Sequence, residues 1–269
     1  MSVQVGAALA TTLFDELGPS GTALVRVLFA AVVLVALWRP STGGVPRGAL
    51  WLVAGFGIAL AGMNLSIYMA LDRIPLGIAV TLEFVGPLGV AIFASHRRLD
   101  IVWAAIAAGG IVLLSPGPGG SLDALGVGFA LLAGSFWASY ILFSARVGRV
   151  FPSGNGLALA MVVAAIVLVP IGVPGGGGEL LAAGPLAVGL GVALLSSAIP
   201  YSLELEALRR LPEATFGVLM SLEPAVAALV GLILLGQGLA GSEVVAIALV
   251  VAASAGALGS ARGPTPVEG

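Results

Sequence analysis

What most constrains this chain is a succession of apolar runs, many of them about as long as a bilayer is thick, with only short polar breaks between them. A hydrocarbon core of roughly 30 Å takes about 20 mostly apolar residues of helix. The runs are Ser2 to Phe14, Gly21 to Trp38, Ala49 to Leu71, Leu76 to Ser95, Val102 to Leu114, Leu125 to Phe143, Asn155 to Ile171, Pro185 to Ala207, Ala214 to Leu235 and Ser242 to Leu258. In hydrocarbon a backbone amide has no water to bond, so each run closes its hydrogen bonds internally as a helix. The reading is an all-α integral membrane protein of ten transmembrane helices. With 59% of its 269 residues hydrophobic and 9% charged, the chain leaves no length for a soluble domain.

The first run is too short to span and lacks the basic flank and cleavage site of a signal peptide, so it is expected to be a truncated helix missing its N-terminal half. The Gly- and Pro-rich stretches SPGPGG (Ser115 to Gly120) and PGGGG (Pro174 to Gly178) are expected to be connecting loops. No Lys-Ser/Thr pair follows their glycines, so they do not form a phosphate cradle. Residues 259–269 are expected to be a disordered tail.

The chain has no cysteine and one histidine, His96, which removes thiol nucleophiles and His-cluster metal sites. Its basic residues are 11 arginines and no lysine. Nine of them (Arg39, Arg47, Arg97, Arg98, Arg146, Arg149, Arg209, Arg210 and Arg262) fall in alternate loops or the tail, while the opposite loops hold Arg73. Basic loops stay cytoplasmic, which places both the start of the chain and its C-terminus on that side.

Two segments repeat. RIPLGIAVTLEFVGP (Arg73 to Pro87) aligns with RLPEATFGVLMSLEP (Arg210 to Pro224), and both proline pairs, Pro75 with Pro212 and Pro87 with Pro224, agree at an offset of 137. The shift carries the fourth run onto the ninth. Five spans is an odd number, so the second copy is inverted in the membrane. Inverted repeats of this kind build many secondary transporters, with the substrate held near midplane where the halves meet.

A charged side chain at that depth costs about 2.5–3.5 kcal/mol on insertion scales. Glu83 lies roughly 12 Å past Pro75 and Glu223 roughly 16 Å past Pro212, which puts both near midplane. Neither has a basic residue at helical contact spacing, so a partner must come from another helix or from water. A desolvated carboxyl with no cation beside it lowers its cost by taking up a proton. That suits a proton-coupling site, and equally a protonated tie between helices. Pro87 and Pro224 are read as hinges, because each removes one helical hydrogen bond, from the carbonyl of residue 83 and from that of Met220. The alternative is a kink for packing alone. The Glu83 side chain and the freed carbonyl are expected to face one lumen.

Arg26 is the one arginine well inside a span. Facing inward it could hold a substrate carboxylate or neutralise a glutamate; otherwise it snorkels to the interface. Asn64 with Tyr68, Trp137 with Tyr140, and Tyr201 with Glu204 share helical faces and could wall a polar pocket. Glu206 is assigned a surface ion pair with Arg209 or Arg210. Gly126, Ala130 and Gly134 make a close-packing face, to which no chemistry is assigned.

AGMNLSIYMALDRIPLGIAVTLEFVGPL (Ala61 to Leu88), FWASYIL (Phe136 to Leu142) and IPYSLELEALRRLPEATFGVLMSLEPA (Ile199 to Ala225) resemble the bacterial threonine/homoserine exporters of the drug/metabolite transporter superfamily. The likeness runs over nearly the whole chain. It implies two inverted EamA repeats of five helices each, at residues 1–115 and 123–258. It also implies an inner-membrane location and export of small amphipathic metabolites driven by the proton gradient. Gln4, Arg26, Asn64, Tyr68, Glu83, Trp137, Tyr140, Tyr201, Glu204 and Glu223 fall where members of the family carry the same residue types. Glu206 and the short first helix depart from the pattern.

The expectation is therefore an alternating-access exporter of amino acids such as threonine, with protons and the lipid bilayer as its other partners. A broad exporter of other metabolites or drugs is the alternative. An enzyme is disfavoured by the lack of a Ser/His/Asp or metal set, and a channel by the lack of charged rings. No cofactor and no nucleic-acid partner are expected, and monomer and homodimer both stay open.

Overall fold

The computed structural model describes residues 1–40, 47–94, 98–114, 122–151, 154–200, 203 and 219–260. Among these every regular element is helical. The order is α1 (Ser2–Thr11), α2 (Phe14–Trp38), α3 (Arg47–Leu71), α4 (Leu76–Glu83), α5 (Val85–Ala94), α6 (Arg98–Leu114), α7 (Ala124–Val147) and α8 (Asn155–Gly176). A 3-10 turn (Gly177–Leu181), α9 (Ala183–Ala193), a π segment (Leu194–Ala198), α10 (Glu223–Leu235) and α11 (Gly241–Ser260) complete it. Among the described residues four helices are long and apolar enough to cross a membrane, and the rest are shorter apolar pieces.

The packing follows from small side chains. Helices in lipid gain nothing hydrophobic by associating, so they meet where glycine and alanine let backbones approach. On α2, Gly21 lies so near α8 that a Cβ there would stand 2.9 Å from the Cα of Gly176. Gly77 of α4 faces the backbone of Ala228 on α10 in the same way, at 2.7 Å. The main core contacts join α2 to α8, α3 to α7 and α8, α6 to α11, and α4 to α10. Large apolar side chains such as Phe93, Ile166 and Ile233 point outward, where lipid would meet them.

Helix ends depart from the sequence reading in four places. The first helix stops at Thr11 rather than Phe14, and the next bends at Gly18, whose φ of 63° only glycine adopts freely, with Pro19 starting the main helix. The stretch from Pro174 to Gly176, expected to be loop, stays helical and ends at Gly177 with a φ of 54°. Its glycines lie against Ser20 and Gly21 of α2, and that contact holds the turn despite the lost proline bond. The run from Pro185 changes to a π segment at Leu194, where Ile199 N–H reaches back five residues to the Leu194 carbonyl. The loop at Ser115 to Gly120 lies outside the described residues.

The fourth departure shapes the site. The run Leu76 to Ser95 is interrupted at Phe84, so it is two half-helices, α4 and α5, with Pro87 in the first turn of the second. The ninth run is interrupted at Ser221 and Leu222, and Pro224 again falls in the first turn of the next half-helix, α10. Proline is tolerated there because the first turn has no helical acceptor for its missing N–H. Phe84 and Ser221 are 137 positions apart, the spacing of the repeated prolines.

Candidate functional site

The breaks border a cavity of about 570 Å³ walled by α1 to α5, α7, the π segment, α10 and α11. Its surface is mainly apolar with a few converging polar groups, the usual make-up of a small-molecule site.

Arg26 enters from α2. It is 7% exposed, so it does not snorkel. Its Nη1 donates to the Tyr68 hydroxyl at 3.2 Å and its Nη2 to the backbone oxygen of Ser196, also at 3.2 Å. The second acceptor belongs to the π segment, a helical irregularity that often marks functional positions. Tyr68 is fully buried, with the ring of Phe14 at 5.7 Å. One turn earlier on the same wall, Asn64 donates its amide to the Leu60 carbonyl at 2.8 Å.

The two glutamates sit on opposite sides of their breaks. Glu83 is the last residue of α4, 8% exposed, and it interacts electrostatically with Arg26 and Glu223. Glu223 is the first residue of α10, half-buried, and its carboxylate accepts a hydrogen bond from the side-chain amide of Gln4 on α1. The carbonyl freed by Pro87 does not simply share the lumen with the Glu83 side chain. Gly134 of α7 packs onto it, a Cα to carbonyl contact of the kind found between close helices.

Trp137 and Tyr140 of α7 complete the wall. Trp137 stands edge-on to Phe84 at 5.5 Å, and Tyr140 is tilted against Phe56 at 5.2 Å. Pro87 lines the cavity, while Pro224 is buried beside it. Tyr201, Glu204 and Glu206 lie outside the described residues. Of three further buried polar side chains in the wall, Gln4 was named by the family resemblance alone, and Ser196 and Ser254 were missed. Among the described residues the Oε1 of Gln4 and the hydroxyls of both serines have no hydrogen-bond partner, which leaves them for a ligand or water. A serine in an apolar helix usually bonds its own backbone, so composition gives no signal for these.

Among the described residues, an apolar chamber with one buried cation and two carboxylates fits a small zwitterion. The sequence profile of the EamA-like transporter family matches residues 124–259. The chain is also 42% identical over 257 residues to the threonine/homoserine exporter RhtA of Salmonella typhimurium, across 95% of this chain and 87% of that one.

The chain belongs to the EamA-like transporter family. A second member, the threonine/homoserine exporter RhtA of Escherichia coli K12, is 40% identical over 269 residues, covering 99% of this chain and 91% of the relative. The resemblance read from LEFVGP and LMSLEP is thus to true relatives of this EamA-like transporter. Its fold also matches a crystal structure with a TM-score of 0.66 at 20% identity, over 95% of this chain and 96% of the other. At that identity the match speaks for the fold alone.

Proposed function

We propose that this multi-pass EamA-like transporter exports threonine and homoserine across the bacterial inner membrane in exchange for protons. The observation that carries the reading is the cavity in which Arg26, Glu83 and Glu223 converge, in a chain 40–42% identical to exporters of those amino acids. Arg26 takes the substrate carboxylate, the glutamates take its ammonium, and Tyr68, Trp137 and Tyr140 wall the rest. One glutamate alternates between a proton and the ammonium. A cycle of this sort works only because substrate and proton bind the inward and outward states differently.

The wider architecture belongs to the same reading: ten spans in two inverted repeats, with the C-terminus cytoplasmic. It is supported by the helix breaks at Phe84 and Ser221, by the pairing of α2 with α8 and α6 with α11, and by the arginines of alternate loops. Half-helices meeting near midplane are where transporters of this build hold their ligands.

The test is uptake of labelled threonine or homoserine into inverted vesicles under an imposed pH gradient. Accumulation that collapses with the gradient is expected, and absence of gradient-dependent uptake by the full chain sinks the reading. The volume favours a second reading. About 570 Å³ lies within the range of roughly 300–1,000 Å³ that suits drug-sized ligands. Larger apolar amines that compete with threonine for uptake would identify a broad exporter.

A further inference from the structure

The breaks at Phe84 and Ser221 are matched in position, yet they leave the two glutamates in opposite environments. Glu223 opens α10, so it lies at the positive end of that half-helix. Gln4 adds a side-chain amide donor from α1, itself 3% exposed. A donated N–H favours the ionised acid. Glu83 closes α4 rather than opening a half-helix, and among the described residues no hydrogen bond reaches its carboxyl. Both side chains line the one cavity. When two acids share a site of low polarity, one keeps its charge and the other its proton.

We infer that the two acids divide the work, with Glu223, positioned by Gln4, a standing anion for the substrate's ammonium and Glu83 the carboxyl that exchanges the proton. This rests on the export reading above and assigns its roles. The ammonium docks on Glu223 and comes between the two carboxylates. Its charge displaces the proton of Glu83, which leaves through the cavity to the facing solution while the ammonium keeps all of its own protons. On the other side a proton returns to Glu83 and the ammonium departs.

Among the described residues the titratable or charged groups that line the cavity with Glu83 are Arg26 of α2, Tyr68 of α3, Tyr140 of α7 and Glu223 of α10, while Glu243 of α11 is in the first turn of its helix and outside the cavity wall. Arg26 opposes the division, since a cation favours charge on Glu83. Among the described residues no ion pair or hydrogen bond joins the two side chains, the Nη1 and Nη2 of Arg26 being bonded to Tyr68 and Ser196. Gln4 is a positioning residue, acting through Glu223.

The test uses the full chain in proteoliposomes. Infrared spectra through neutral pH should show one titrating protonated-carboxyl band that persists in Glu223→Gln, is absent in Glu83→Gln, and is joined by a second in Gln4→Leu. Threonine should discharge the wild-type band. In transport, Glu83→Gln should keep threonine–threonine exchange and lose gradient-driven accumulation, whereas Glu223→Gln should lose both. Gln4→Leu should raise KM about tenfold at mildly acidic pH, with recovery as pH rises, because a bond to a charged group is worth about that factor. A band that disappears in Glu223→Gln and remains in Glu83→Gln overturns the division. If the wild type moves no threonine, the export reading fails, while the band assignment, read without substrate, still decides between the two acids.

Discussion

Gly134 of α7 lies so close to the backbone of Glu83 that a Cβ on it would stand 2.5 Å from the Glu83 carbonyl oxygen. That oxygen is the one an N–H at position 87 would reach in an unbroken helix, and Pro87 has none. The glycine thus covers the break in the fourth run and holds Glu83 at the cavity wall. The stripe Gly126, Ala130, Gly134, to which spacing alone assigned no chemistry, is the surface on which this half of the site rests.

Gly134→Ala should therefore destabilise the protein despite better helix propensity. Alanine in a helix gains about 1 kcal/mol over glycine, but overpacking against a backbone that cannot yield costs typically about 1–3 kcal/mol. Denaturation in detergent should show a net loss, and threonine uptake should fall with it. Unchanged stability would remove Gly134 from its place against the break.

Tyr68→Phe removes the acceptor of Arg26 Nη1 and leaves that donor in a buried wall. Hydrogen bonds to charged groups contribute about 1.5–3 kcal/mol, so uptake should weaken by about tenfold or more. Arg26→Lys should fare no better, because one ammonium on a flexible stem does not span both the Tyr68 hydroxyl and the Ser196 carbonyl. Uptake kinetics of both variants check this.

Gln237→Leu should loosen the start of α4. The Leu76 N–H, one of the donors that a helix N-terminus leaves without a partner, donates to the Gln237 side-chain oxygen at 2.9 Å. Leaving it unpaired in a partly buried place costs about 1 kcal/mol. The denaturation midpoint should fall, and Gln237→Glu, which keeps an acceptor, should restore most of it.

Asp123 sets a pH dependence at the start of α7, outside the span. Its carboxylate accepts from the Gly126 and Leu125 amides and from Arg73 at 3.2 Å, which holds its pKa below the ordinary 3.8. A carboxyl with a lowered folded-state pKa stabilises the fold above its ordinary value, and that contribution disappears as pH falls through the lower, folded one. The melting temperature of the wild type should exceed that of Asp123→Asn at neutral pH, and the two curves should converge below about pH 4. Parallel curves would exclude the linkage.

The glutamates show what could be read along the chain and what could not. The all-helical run pattern and the breaks near the repeated prolines were legible because a segment in lipid must satisfy its own backbone, so its structure is local. The same local rule misjudged Pro174 to Gly176, where contact with α2 holds a helical turn that composition assigns to loop. It could not foresee the π segment whose Ser196 carbonyl receives Arg26.

By itself the sequence determined an all-helical membrane chain with two paired helix interruptions and an acid beside each of them. Tertiary structure alone decided that Gln4 meets Glu223 across 219 positions, that Arg26 meets Tyr68 across 42 and Ser196 across 170, and that Glu83 ends one half-helix while Glu223 begins another. Those meetings depend on how helices cross. In lipid the crossings are set by close packing at small residues, which a one-dimensional pattern of apolar and polar residues does not encode.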